Sequence, residues 1–116
     1  MKNAFTKLAS PIKLGPVEIK NRFIVSPMVM NCCNEDGTAT ERFIAYHEEK
    51  AKGGWGLIVT EDYAVDPSGR TYQYIPGLWC DEQIPSHREL KMCIRDRDSI
   101  YSAKSRFHWI LRSVRK

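Results

Sequence analysis

The chain has 116 residues, 42% of them hydrophobic and 28% charged, with a formal net charge of +4; this allows one globular domain at most. No run approaches the roughly eighteen apolar residues of a membrane span. The opening Met-Lys-Asn-Ala-Phe-Thr-Lys has no apolar stretch behind its lysines, so no membrane segment or secretory signal is expected and the cytoplasm is the default.

In chain order, Ile12-Lys13-Leu14 and Val17-Glu18-Ile19-Lys20 flank Gly15-Pro16, the signature of a short hairpin. Arg22-Phe23-Ile24-Val25-Ser26 is a compact apolar run closed by Pro27, which predicts a strand buried on both faces. After the polar loop Asn34–Gly37, Thr38-Ala39-Thr40-Glu41 has the spacing of a capping box and predicts a helix running to about Lys52. Phe43, Ile44, His47 and Ala51 share its packed side, and Gly53-Gly54 ends it. Leu57-Ile58-Val59-Thr60-Glu61 predicts a second buried strand. It follows a helical crossover, so the two strands should be parallel. A long loop from Asp62 to Leu78 leads to a further helix starting at Asp81.

The cysteines, Cys32, Cys33, Cys80 and Cys93, form no CxxC pair and no zinc-like spacing, so reduced thiols and no metal are expected. His47 is expected to be a packed or surface residue. Trp55 and Trp79 are expected to be packing anchors. Glu61, Asp62 and Asp66 cluster at a strand end and, without a basic partner, read as solvated loop charges.

The charge is not evenly spread. Residues 1–90 hold ten Lys and Arg against twelve Asp and Glu, whereas residues 91–116 hold eight against two. The break coincides with Lys91-Met92-Cys93-Ile94-Arg95-Asp96-Arg97. That run resembles the translation of a transposon-end sequencing adaptor, in which ATG TGT ATA AGA GAC encodes its five central residues. Residues 91–116 are therefore expected to be a foreign tail carrying no domain, and the helix from Asp81 to break at Leu90. The alternative is a natural amphipathic helix with Ile100, Ala103, Phe107, Ile110 and Leu111 on one face. The protein would then be a small basic module binding nucleic acid or acidic surfaces through Lys104, Arg106, Arg112, Arg115 and Lys116.

Three motifs in order carry a family resemblance. They are Leu8-Ala9-Ser10-Pro11-Ile12-Lys13-Leu14 with Ile19-Lys20-Asn21-Arg22-Phe23-Ile24-Val25-Ser26-Pro27-Met28; Gly56-Leu57-Ile58-Val59-Thr60-Glu61 with Ala64-Val65-Asp66-Pro67-Ser68-Gly69-Arg70; and Gly77-Leu78-Trp79-Cys80-Asp81-Glu82-Gln83-Ile84. Together residues 8–90 resemble the opening of the old yellow enzyme family, nearest the branch of 2,4-dienoyl-CoA reductases and enoate reductases. The resemblance implies an α/β fold, an incomplete (β/α)8 TIM barrel of which residues 1–90 supply the first two βα units, with FMN at the C-terminal mouth of the strands. It further implies hydride passed from NAD(P)H through the flavin to the activated C=C bond of a small enoate or enoyl thioester, with no nucleic-acid or membrane partner. In that branch an iron–sulfur cluster and FAD lie further along a longer parent.

Carried over by position, Ser26, Pro27, Met28 and Val29 are expected to contact the flavin; the alternative is a plain strand terminator. Asn31 falls where the family lines the substrate side, or is a turn residue. Asp62 stands where the family usually has a small residue near the flavin. Val29 replaces the redox-tuning cysteine of some members. The family's catalytic pair, proton-donating tyrosine and most phosphate contacts lie beyond residue 90, so no catalytic residue is assigned. Two strands leave sheet edges and a face uncovered, so the chain alone is expected to be poorly soluble or molten and not to retain FMN. An interaction-only chain that completes a barrel by association would need a second chain to supply the other strands.

Overall fold

The structure, a computed structural model, describes residues 5–105 and 109–110. A one-turn helix α1 (Thr6–Ala9) leads into the expected hairpin of β1 (Ile12–Leu14) and β2 (Val17–Ile19), paired antiparallel with Leu14 opposite Val17. The hairpin is largely exposed, except that Ile19 is buried against Leu57 and Val59.

β3 is shorter and more open than the sequence predicts. It spans only Ile24–Val25, and Ile24 is 50% exposed. At its start the Phe23 amide is taken by the Asn21 side chain, while the Phe23 carbonyl already accepts from Gly56 and Leu57 at the neighbouring strand. Its far edge is unpaired among the described residues, so only one side has a neighbour.

α2 (Glu41–Lys52) buries the predicted face of Phe43, Ile44, His47 and Ala51. Its cap is Thr40, not Thr38. Thr40 Oγ1 accepts the Phe43 amide at 3.1 Å and donates to the Cys32 carbonyl at 2.6 Å. Thr38 is engaged in the preceding loop by Asp36 and Asn34, which places Glu41 at the first helical position. Gly54, with φ of 87°, supplies the left-handed residue after the helix.

β4 runs Leu57–Tyr63, two residues past the expected end, and pairs parallel with β3. Its faces pack differently: Leu57 and Val59 meet Ile19, while Ile58 joins Phe43, Ile44, Ala51, Leu90 and Ile94 under the helices. Coverage on both faces explains why the strand is a continuous apolar run.

Beyond a 3-10 turn at Asp81–Gln83, α3 (Ile84–Arg95) continues through Lys91 with His87, Leu90 and Ile94 buried, instead of breaking at Leu90. Arg97 then pairs with Glu48 of α2, and β5 (Ile100–Ser105) lies parallel to β4. β6 (Trp109–Ile110) pairs antiparallel with β5. Ile100 and Ala103 are thus strand residues, not one face of a helix; Phe107, Leu111, Arg106, Arg112, Arg115 and Lys116 lie outside the described residues. No helix among the described residues is long and apolar enough to cross a membrane.

His47 is packed, one of the two environments expected of it. Its ring stands edge-on to Phe43 and Tyr46, and neither nitrogen has a hydrogen-bond partner among the described residues. Burial, aided by the Lys50 charge, lowers its pKa to about 4. A depressed histidine contributes stability that is fully present above pH 6.5 and lost as pH falls toward 4. Unfolding free energies from urea titrations between pH 8 and 4.5 should therefore decline below 6.5, with His47 contributing up to about 1.4 kcal/mol per pH unit. His47→Leu should remove most of that slope; His87, also lowered by burial, keeps the remainder. A slope unchanged in His47→Leu would contradict the assignment.

Candidate functional site

Because β3 and β4 are parallel neighbours, their C-terminal ends open on the same side, and the segments leaving them lie together. Ser26, Pro27, Met28, Val29 and Asn31 follow β3, and Asp62 sits at the end of β4. The structure thus brings every sequence-predicted site residue to one end of the sheet. Met28 is 68% and Val29 39% exposed, Ser26 is exposed and Pro27 is half-buried. Asp62 is half-buried where β4 shifts register against β5, between Val59 and Asp62.

Asn31 acts as a clamp. Its backbone is left-handed, with φ of 50°, and its side-chain carbonyl accepts the Tyr74 amide at 2.9 Å. The Cys33 amide donates in turn to the Tyr74 carbonyl at 2.9 Å. The long loop after β4 is thereby pinned across the segment after β3. Neither contact was visible in sequence, because Asn31 and Tyr74 are far apart in the chain.

Glu61 overturns the reading of solvated acids. It is fully buried, and its Oε2 accepts the amides of Met30 at 2.9 Å and Asn31 at 3.4 Å. Burial raises its pKa, the two amides oppose that rise, and Asp62 adds to it. Asp66, by contrast, is exposed and caps the short turn Pro67–Gly69; the Ser68 hydroxyl, and then the Ser68 amide, lower its pKa. A charged residue ending an apolar run reads equally as a loop start or a buried partner, so Glu61 gave no usable signal.

The same loop is held from behind. Gln83, buried, accepts the Trp79 and Cys80 amides and donates to the Asp36 carbonyl. His87 Nε2 donates to the Gly37 carbonyl at 3.0 Å, which also accepts the Gly77 amide. Trp79 is half-buried, with the Arg70 guanidinium 5.5 Å from its ring; Trp55 is half-buried against the helix-side core.

All four cysteines are free. Burial and the Glu61 charge raise the pKa of Cys33, and burial raises that of Cys32, so neither is an activated thiolate. No group of His, Cys, Asp or Glu that could hold a metal occurs among the described residues. What the site offers is an exposed apolar surface, Met28 and Val29, on a main-chain segment at a strand mouth. That suits the face of a flat ring, and it suits binding better than proton or group transfer.

The chain is similar to known proteins in both sequence and fold. The family model described as NADH:flavin oxidoreductase / NADH oxidase matches residues 7–103. An NADPH dehydrogenase of Listeria monocytogenes is 43% identical over 86 residues, covering 73% of this chain and 25% of the relative. A cinnamate reductase of Clostridium sporogenes is 48% identical over 61 residues, covering 52% of this chain and 9% of the relative. The solved structure of a 2-naphthoyl-CoA reductase in complex with 2-naphthoyl-CoA superposes with a TM-score of 0.84 at 28% identity, over 87% of this chain and 16% of that one. The chain thus spans about a quarter of the length of the NADPH dehydrogenases it matches.

Proposed function

Because the chain belongs to the NADH:flavin oxidoreductase / NADH oxidase family, we propose that it is the opening part of an FMN-dependent (β/α)8-barrel enzyme that passes hydride from NAD(P)H to an activated C=C bond. The observation that carries this is the Ser26–Val29 segment, exposed at the C-terminal end of a parallel β3–β4 pair, within a stretch that matches the family throughout. The substrate class is a small enoate or enoyl thioester, a choice supported by the cinnamate and naphthoyl-CoA reductases among its relatives.

The residues present fit a flavin. Met28 and Val29 give an apolar surface for the ring, and Ser26 and the neighbouring main chain give polar groups for its edge. Asp62 places a carboxylate at the same mouth. Asn31 takes the substrate side and also holds the Tyr74 loop. FMN held there would supply the hydride-transfer chemistry, and these residues would bind and orient it. An iron–sulfur cluster and FAD further along a longer parent belong to the same proposal, and iron analysis of that parent checks them.

Residues 1–90 are read as barrel domain and 91–116 as a foreign tail, on the strength of the adaptor-like run at Lys91–Arg97. Ile100–Ser105 occupies the place beside β4 where a third parallel strand belongs, and the family match continues to residue 103. Sequencing the source DNA decides between a seam and a continuous frame.

The 116-residue chain, mixed with FMN and passed through gel filtration, should emerge without flavin absorbance. The uninterrupted frame should be yellow and oxidise NADPH when given cinnamate or an enoyl thioester. Stoichiometric FMN on the short chain would refute the partial-barrel reading; a colourless, inactive full-length protein would refute the function.

A further inference from the structure

Glu61 has no task in the proposed chemistry, yet it is fully buried. A buried carboxylate costs more than a hydrocarbon of the same shape unless hydrogen bonds compensate it. Here the compensation is local and directed. The amides of Met30 and Asn31 are successive, and Asn31 is left-handed, the arrangement in which neighbouring N–H groups converge on an anion. Glu61 Oε2 occupies that concavity. Asn31 passes the restraint on, since its side chain accepts the Tyr74 amide while Cys33 donates to the Tyr74 carbonyl.

We infer that Glu61 is a positioning residue: its carboxylate, anchored at the end of β4, fixes the Met30–Asn31 turn and with it both the Ser26–Val29 surface and the loop at Tyr74. The inference rests on the flavin-binding reading for what that surface is used for, but not for the contacts themselves. A single oxygen receives both amides. The other, Oε1, is buried without a partner among the described residues, so in Glu61→Gln the carboxamide oxygen can keep both amides while its nitrogen replaces an oxygen that accepts no hydrogen bond.

The test is amide exchange and chemical shift by NMR on the 116-residue chain, unsubstituted and as Glu61→Gln and Glu61→Leu. In the unsubstituted chain the Met30 amide should be protected and lie downfield, as a donor to a carboxylate does. Glu61→Gln should keep that protection while moving the Met30 and Asn31 amide protons upfield. Glu61→Leu should lose roughly tenfold or more of the Met30 protection, with Ile58 and Phe43 less affected.

If Glu61 were merely buried filler, Glu61→Leu would stabilise the chain and leave Met30 protected, which overturns the inference. So does a Met30 amide that exchanges freely in the unsubstituted chain while those of Ile58 and Phe43 are protected. Should Glu61→Leu fail to fold, the Gln variant still decides: Met30 and Asn31 shifts that do not move overturn it. None of these readouts involves FMN or turnover, so a failure of the enzyme reading would be seen separately.

Discussion

Gly37→Ala is expected to lower the stability of the chain by about 2–5 kcal/mol, the sum of backbone strain and overpacking. Gly37 adopts a φ of 80°, which an L side chain rarely tolerates. A Cβ there would stand 2.6 Å from Gln83 Nε2, 2.7 Å from the Trp79 ring and 2.8 Å from the Gly77 Cα. The amide end of Gln83 could move only by giving up the Asp36 carbonyl, and the Gly77 backbone is held by the Gly37 carbonyl itself. Relief therefore breaks the hydrogen bonds that seat the loop between β4 and α3. Gly69→Ala is the control, because nothing lies within 4 Å of its Cβ position; its effect should be within about 0.5 kcal/mol. Urea unfolding followed by near-UV circular dichroism measures both. Equal midpoints for the two variants would contradict this account of the loop. A cooperative transition in the unsubstituted chain would also decide against the molten state expected from its open edges.

Ile94→Ala should cost about 3 kcal/mol, close to the 3–5 kcal/mol expected of Phe43→Ala. Both side chains are fully buried in the same cluster with Ile58 and Leu90. Ile94 is the informative one, because it lies three residues past Lys91, inside the adaptor-like run. The structure turns Lys91–Arg95 of that run into the last turn of α3, with Ile94 buried in the core and Met92 exposed. If the residues after Leu90 were an unpacked appendage, Ile94→Ala would leave the unfolding midpoint unchanged while Phe43→Ala kept its full effect. Foreign origin and structural integration are separate matters: a short apolar residue at helical spacing will pack wherever a vacant face receives it.

Most of the fold up to Leu90 was legible from local pattern. The hairpin around Gly15-Pro16, the amphipathic face of α2, its glycine end and the two parallel strands each follow from the spacing of a few residues. Errors arose where two local signals competed. The capping-box spacing pointed to Thr38, but the loop contacts of Asp36 and Asn34 claim its hydroxyl and Thr40 caps α2 instead. Arg22–Ser26 has the composition of a central strand, but how much of it pairs depends on the Asn21 side chain and on having neighbours on both sides.

The sequence by itself determined the family, the order of the main elements from β1 to the start of α3 and the residues at the mouth of β3, because these depend on composition and spacing within short windows. Only the tertiary structure decided the fate of the acids. Glu61 is buried because the parallel pairing of β3 and β4 brings the Met30 and Asn31 amides to its carboxylate. Asp66, five residues later, stays in solvent because its partner is the adjacent Ser68. The same distinction separates Asn31 as a turn residue from Asn31 as the clamp on Tyr74. A buried polar group is specified by who reaches it across the fold, and that information resides in the packing of distant segments.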